Sequence, residues 1–181
     1  IYFKSLNNQQ NLSFILKICS KLRIKKNAIF KVVNNFKALD YRQQIIYDSK
    51  KLRIINDSKS TSFSSSINLL NNIDRIFWIL GGLPKIGDKL KLENKNNIQK
   101  IYIYGQNSNF FAKFFKKKIK YSKFSNLEHA IKQISLDIKK GEKNKKINLI
   151  FSPCAASFDN FKNFEDRGEY FNRLIKRYKS D

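Results

Sequence analysis

The chain has 181 residues, of which 41% are hydrophobic, including 16 Phe and 8 Tyr. That is enough apolar material for one full domain and part of another, and it excludes a wholly disordered chain. The 37 Lys and Arg against 14 Asp and Glu leave a formal charge of +23, which suits an anionic partner such as nucleic acid. The same charge also follows from general composition, since Lys, Asn, Ile, Phe and Tyr crowd the whole chain and lysines run from Lys4 to Lys179 without gathering on one face. No apolar run approaches the roughly 20 residues that span a bilayer. The N-terminus lacks the order of a signal peptide. Cys19 and Cys154 lie far apart with no metal-ligand spacing, so two free thiols in a reducing cytoplasm are expected. The chain starts at Ile1 and has no Met, from which a piece of a longer protein is expected.

Residues 11–22 carry Leu12, Ile15, Leu16, Ile18, Cys19 and Leu22 at helical spacing, which predicts a helix with one buried stripe. Ala28, Ile29, Val32, Val33 and Phe36 predict a second helix over 26–36, making a helical hairpin. Residues 43–47 and 52–55 are short β-prone runs around the polar turn Asp48-Ser49-Lys50-Lys51, and predict a β-hairpin. The Ser/Thr-dense stretch 56–66 predicts a loop that caps a helix ending near Asn72. Three continuous apolar runs follow, 75–80, 100–104 and 147–151, ending in Gly81-Gly82, Gly105 and Ser152-Pro153. Such runs predict parallel strands buried on both faces. Helical stretches at 107–115, 127–138 and 165–178 alternate with them, so the class is a doubly wound α/β domain. Ligands in such sheets bind beyond the carboxyl ends of the strands. The Lys/Asn patches 93–97 and 139–146 predict solvated loops.

Three segments at strand ends carry the chemistry. Asn56-Asp57-Ser58-Lys59-Ser60-Thr61 offers a carboxylate, an ammonium and hydroxyls, and fits either a phosphate, ribose or carboxylate site or a plain capped helix start. Gly81-Gly82-Leu83-Pro84-Lys85 fits either an anion-binding loop with Lys85 as point charge or a simple βα turn, and it is no Walker loop. Ser152 to Asp159 has small residues and hydroxyls, with backbone N–H groups expected at a helix start. A Ser nucleophile is disfavoured, because His129 sits in a predicted surface helix and no G-x-S-x-G elbow occurs. Cys154 suits a small packing role. Phe158, Phe161, Phe164 and Phe171 fit a core face better than a base-stacking platform. The charged patch Glu165-Asp166-Arg167-Gly168-Glu169 fits either a solvated helix start or a structural role in which Arg167 pairs with a neighbouring carboxylate and fixes the preceding loop.

Taken in order, these segments resemble the Mur ligase family, the cell-wall amino-acid ligases, and within it the D-glutamate-adding branch. Asn56-Asp57-Ser58-Lys59-Ser60-Thr61 resembles that branch's Asn-Asp-Ser-Lys-Ala-Thr element, and Tyr41-Arg42 its His-Arg pair. Gly81-Gly82 with Lys85 resembles its Gly-Gly-x-x-Lys loop. The run from Ser152 to Gly168 resembles its C-terminal Ser-Pro-Ala-Cys-Ala-Ser-x-Asp-x-Phe-x-x-Phe-x-x-Arg-Gly signature, and Asn8 and Asn11 resemble paired asparagines of its central domain. The resemblance implies a Rossmann-like doubly wound, mostly parallel sheet flanked by helices over 40–181. A helical remnant of the central ATPase domain would precede it over 1–39. It implies ATP-dependent amide formation through an acyl phosphate in peptidoglycan precursor synthesis, with UDP-N-acetylmuramoyl-L-alanine, D-glutamate and ATP as partners. On the matching positions, Thr61, Lys85, Ser157, Phe158 and Phe164 would hold D-glutamate, the two Phe mainly through backbone. Asn8, Asn11, Arg42 and Asp57 would contact the nucleotide, and Lys59 would neutralise the transferring phosphate. The magnesium ligands, the phosphate-cradling glycine loop and a modified lysine would all precede Ile1, so the piece alone is expected to be an inactive monomer. Three positions depart from the pattern: Tyr41 for His, Ser62 for Asn, and Cys154-Ala155-Ala156 for Ala-Cys-Ala.

Two other readings stand beside this one, a ligase remnant kept as an interaction module and a small basic nucleic-acid-binding module. Salt dependence separates the second from the first reading. A ligase piece should bind random duplex DNA weakly at every salt concentration, whereas tight binding lost steeply with added salt would favour the nucleic-acid module.

Overall fold

The computed structural model describes residues 6–36, 39–115, 119–141 and 145–179. The chain divides into two compact units, Ile1–Leu39 and Asp40–Asp181. In the first unit, helix α1 (Leu6–Lys21) and helix α2 (Lys26–Asn35) are joined by a tight turn. Arg23 takes a φ of +52° there, and the Leu22 and Ile24 N–H groups donate to the Ile18 and Cys19 carbonyls at 2.9 Å each. The stripe expected to be buried on α1 is not. Ile18 and Leu22 are more than half exposed, Ile15 and Leu16 are exposed, and Leu12 and Cys19 are partly covered. Helix α2 buries no residue. Two short helices enclose too little volume to cover their own apolar faces.

In the second unit a six-stranded sheet carries helices on both faces. Its strands are β1 (Gln44–Asp48), β2 (Leu52–Asn56), β3 (Ile76–Gly81), β4 (Ile98–Tyr104), β5 (Tyr121–Phe124) and β6 (Ile147–Phe151). They lie in the order β1-β2-β6-β3-β4-β5. Strand β1 pairs antiparallel with β2 through the expected hairpin, and all other neighbours are parallel. The helices are α3 (Phe63–Asn71), α4 (Ser108–Ala112), α5 (Leu127–Lys140) and α6 (Phe164–Lys179). Side chains alternate along each strand, so the continuous apolar runs divide between two cores. Ile76, Trp78 and Leu80 pack with Phe63, Leu70 and Phe111 of α3 and α4. Phe77 and Ile79 pack with Ile131, Phe171 and Leu174 of α5 and α6. Trp78 meets Phe63 and Phe115 edge to face, while Phe151 stacks on Phe171 with centroids 4.3 Å apart.

The differences from the sequence-based expectations are local. Strand β5 was not expected because it is the edge strand beyond β4. It pairs on one side only and its sequence, Tyr-Ser-Lys-Phe, has no apolar run. The helix expected over 107–115 closes at Ala112, after which Phe114 and Phe115 donate to Phe111 and Ala112 in tight i−3 turns at 3.1 Å. Those turns drop Phe115 into the core. The expected loop at 93–97 holds a single 3₁₀ turn, Lys95–Asn97. Of the loop expected at 139–146, Lys139 and Lys140 still belong to α5, and residues 142–144 lie outside the described ones.

Helix α6 closes over the segment before β1 at one point where no Cβ fits. A Cβ on Gly168 would stand 2.3 Å from Cδ1 of the Tyr41 ring, and ring and backbone must part to admit it. Gly168→Ala should therefore destabilise the chain by about 1–3 kcal/mol in denaturant titration. The cost should largely vanish in a Tyr41→Ala background.

Candidate functional site

The strand order puts the carboxyl ends of β2, β6 and β3 side by side, and the loops that leave them carry most of the residues picked out above. The loop after β2 is pinned first. Asn56 is buried and its amide donates to the Gly168 carbonyl at 2.9 Å and to Asn172 Oδ1 at 2.8 Å. The Ser58 hydroxyl donates to the Phe164 carbonyl at 2.8 Å. Arg167, fully buried, donates from Nε to Ser58 Oγ at 3.1 Å, from Nη2 to the Ser58 carbonyl at 2.6 Å, and from Nη1 to the Ala155 carbonyl at 2.9 Å. Arg167 thus takes the structural role and fixes the loops, but through carbonyls and a hydroxyl rather than through a carboxylate. Neither clamp residue of the β2 loop, Asn56 or Ser58, was singled out individually.

The loop after β3 folds against the loop after β6. Leu83 and Ala156 exchange N–H···O bonds of 2.9 and 3.0 Å in an isolated antiparallel bridge. This needs Gly82, whose Cβ would sit 2.6 Å from the Ala156 carbonyl oxygen. Cys154, with φ +54°, turns the chain directly after β6. Further along, Asp88 accepts the Phe63 N–H at 2.5 Å and so ties the β3 loop to the start of α3, where Ser62 and Ser65 form a capping box. Thr61, Lys85 and Ser157 therefore sit on three mutually tethered loops. Thr61 and Lys85 are exposed and Ser157 is buried. Nothing in the sequence around Asp88 marks it as a cap.

Lys59 and Phe164 also come together. The Lys59 ammonium lies over the Phe164 ring, 4.0 Å from its centroid, and the Lys59 N–H donates to the Tyr41 carbonyl at 3.0 Å. The core reading of the four phenylalanines holds for Phe171 and fails for Phe158, which is 71% exposed, with Phe161 and Phe164 half-buried. The physical reason is that 152–163 is not helical, so a three-residue spacing there does not build one face. For the same reason the run from Ser152 is no helix start; α6 begins at Phe164, with Asn163 Oδ1 accepting the Asp166 N–H at 2.7 Å. Asn8 and Asn11 both lie on α1, three residues apart on one face of the first unit. Arg42 is exposed beside Asp57's partner Gln43. His129 is exposed on α5, its ring Nδ1 paired with Ser125 Oγ at 2.8 Å, and takes no part. Both cysteines are free. Asp159 Oδ1 is buried and has no hydrogen-bond partner among the described residues, which leaves polar capacity beside the β6 loop.

Asp57 is the buried carboxylate of the site. Its Oδ1 accepts the Gln43 N–H at 3.1 Å and its Oδ2 the Ser152 hydroxyl at 2.8 Å, so any nucleotide contact must use the remaining lone pairs. Burial pushes its pKa up from 3.8 to about 7, against the Ser152 and Gln43 hydrogen bonds and the charges of Arg167 and Arg42. Between those values the folded chain keeps a proton that the unfolded chain releases. The stabilisation from this group is complete below the unfolded value and is lost as pH rises through about 7. The melting temperature of the chain should accordingly fall from about pH 5 to about pH 8, and Asp57→Asn should flatten that fall.

No family model matches the chain. Among curated proteins it is 31% identical over 173 residues to the UDP-N-acetylmuramoylalanine–D-glutamate ligase of Rickettsia felis, covering 95% of this chain and 38% of that protein. It is 32% identical over 176 residues to the protein of that name in Rickettsia prowazekii, covering 97% and 39%. It is 33% identical over 180 residues to that of Prochlorococcus marinus, covering 95% and 37%. The chain thus spans less than two fifths of the length of these relatives. Among solved structures, the MurF ligase of Thermotoga maritima in complex with ADP shares the fold, with a TM-score of 0.54 at 17% identity over 96% of this chain and 40% of that one. On these matches the chain belongs to the Mur ligase family, and it corresponds to the C-terminal portion of those members.

Proposed function

We propose that this chain is the acceptor-binding, C-terminal part of a UDP-N-acetylmuramoylalanine–D-glutamate ligase. Residues 40–181 form the amino-acid-binding domain in this reading, and 1–39 the end of the central ATP-binding domain. The observation that carries it is the tethering of the three loops with Thr61, Lys85 and Ser157, through the Asp88 cap on Phe63 and the Leu83–Ala156 bridge. The Thermotoga neighbour is described with ADP, which supports ATP use. ATP supplies the phosphoryl group that turns the L-alanine carboxylate of the UDP-sugar precursor into an acyl phosphate, releasing ADP, and the D-glutamate amine then attacks the acyl carbon to form the amide and expel phosphate.

The residues of this chain bind and orient the reactants. D-glutamate carries two carboxylates, which call for a cation, hydroxyls and backbone donors. Lys85 supplies the point charge, Thr61 and Ser157 the hydroxyls, and Phe158 the backbone. The Phe164 carbonyl already accepts from Ser58, so Phe164 acts through its N–H in the first turn of α6, where backbone donors lack helical partners. Lys59, held on the Phe164 ring, places its charge between acceptor and nucleotide and offsets charge on the transferring phosphate. Magnesium accompanies ATP in such chemistry. Among the described residues no three His, Cys, Asp or Glu side chains stand together as a metal site, and no step here runs through the ion.

Adding D-glutamate to the 181-residue chain should shift the amide resonances of Thr61, Lys85 and Ser157, with a weaker response to L-glutamate. Lys85→Ala should weaken binding about tenfold or more, the scale of one charged hydrogen bond. No response at these amides, or an equal response to both enantiomers, would overturn the reading. The isolated chain should show no D-glutamate-dependent ATP turnover.

A further inference from the structure

Behind the acceptor loops runs a file of buried hydroxyls that the reaction as described does not use. Ser152 Oγ lies 2.8 Å from Asp57 Oδ2 and 2.6 Å from Ser66 Oγ. Ser66 Oγ in turn pairs with Ser60 Oγ and lies 3.0 Å from Cys154 Sγ. Ser60 Oγ lies 2.9 Å from Ser65 Oγ, in the first turn of α3. Asp57, Ser60, Ser66, Ser152 and Cys154 are all at most 5% exposed. The file therefore joins a carboxylate at the end of β2 to the helix start that holds Thr61.

We propose that Ser152, Ser66 and Ser60 form a hydroxyl relay whose direction is set by the charge on Asp57, making them positioning residues for the Thr61 segment. Each hydroxyl has one proton to give. When Asp57 is ionised it can only accept, so Ser152 donates to it, Ser66 donates to Ser152, and Ser60 donates to Ser66. The Ser65 hydroxyl beside Ser60 is already given to the Ser62 carbonyl at 2.6 Å, and the Cys154 S–H points to Ser66. When one proton is added at Asp57 Oδ2 the carboxyl becomes a donor and the file reverses. Ser152 then donates to Ser66, Ser66 to Ser60, and Ser60 to the Ser62 carbonyl, 3.3 Å away. The one covalent change is the O–H bond formed at Asp57 Oδ2 by a proton from solvent; each serine hydroxyl keeps its own proton and rotates. Such chains polarise one another inside a protein, so a charge at one end is felt at the other without any shift of backbone.

The charged groups around Asp57 are few. Arg167 faces it from α6 and Arg42 from the segment before β1. Lys59 stands two residues on, with its ammonium on Phe164. Cys154 beside the file is pushed up to about 12 by burial and stays a neutral thiol. Asp88 is the other carboxylate at the start of α3. A titration near neutrality of Asp57 makes reversal accessible under ordinary conditions. The value of the relay to catalysis rests on the ligase reading; the relay itself does not.

The test uses the whole chain without substrates, with the Asp57 carboxyl followed by ¹³C resonance across pH and the Thr61 and Phe63 amides followed by ¹⁵N. The two amides should titrate with the midpoint of Asp57, and Asp57→Asn should abolish that response, which separates it from Asp88. Ser152→Ala should raise the Asp57 midpoint by about one pH unit. Ser66→Ala, which does not touch Asp57, should raise it by roughly 0.3 unit and uncouple the Thr61 amide. Should Ser66→Ala fail to fold, Ser60→Ala removes only the far link and should uncouple Thr61 with a smaller midpoint change. An Asp57 midpoint unmoved by Ser66→Ala or Ser60→Ala, or a Thr61 response that survives both, overturns the relay. Failure of D-glutamate to bind would overturn the acceptor reading alone, since no ligand enters this measurement.

Discussion

The guanidinium of Arg167 is cut off from solvent and donates three hydrogen bonds, two to Ser58 and one to the Ala155 carbonyl. A buried cation is stable only where its donors are met, so the loops after β2 and β6 are obliged to present those oxygens to α6. Gly82 follows from the same demand, since a Cβ there would stand 3.0 Å from Arg167 Nη1. Asn56 completes the joint by bonding Gly168, the next residue of α6. The three loops that carry Thr61, Lys85 and Ser157 hang from this cation, directly or through the Leu83–Ala156 bridge.

Around that joint the polar groups divide by depth. Asp57, Ser60, Ser66 and Ser152 are buried and satisfy one another, while Thr61, Lys85, Arg42 and Phe158 reach solvent. In the proposed reading the inner set holds geometry and the outer set meets ligands, as rigid sites require. Lys59 stands between the two, its ammonium over an aromatic face that limits its swing without neutralising it. The surface ion pairs lie elsewhere. Asp48 bonds Arg53 and Lys146 at the sheet edge, and Lys100 meets Asp137 on the α5 side.

Much of this was legible in the residues. The apolar runs at 76–80, 101–104 and 147–151 are strands because both faces are covered, and each ends at the glycine or Ser-Pro that marks it. The Ser-rich start of α3 caps as its composition implies. The candidate site residues on the β2, β3 and β6 loops are marked by their motifs, and the structure ties those loops together. Other features carried no local signal. Strand β5 is held by a neighbour rather than by its own pattern. Phe158 is exposed because its segment is irregular. Asp88 caps a helix 25 residues away, and Ser66 and Ser152, 86 residues apart, meet through the core.

What the sequence determined by itself was most of the helices and strands and where most of them stop, because periodicity, capping and glycine act over a few residues. It also determined which side chains wait at the strand ends. Only the tertiary structure decided that β6, last in the chain, slots between β2 and β3. That insertion brings Ser152 to Asp57 and Ala156 to Leu83. It is decided there because strand order rests on how two sets of helices cover both faces of the sheet at once, and no window of sequence contains that requirement.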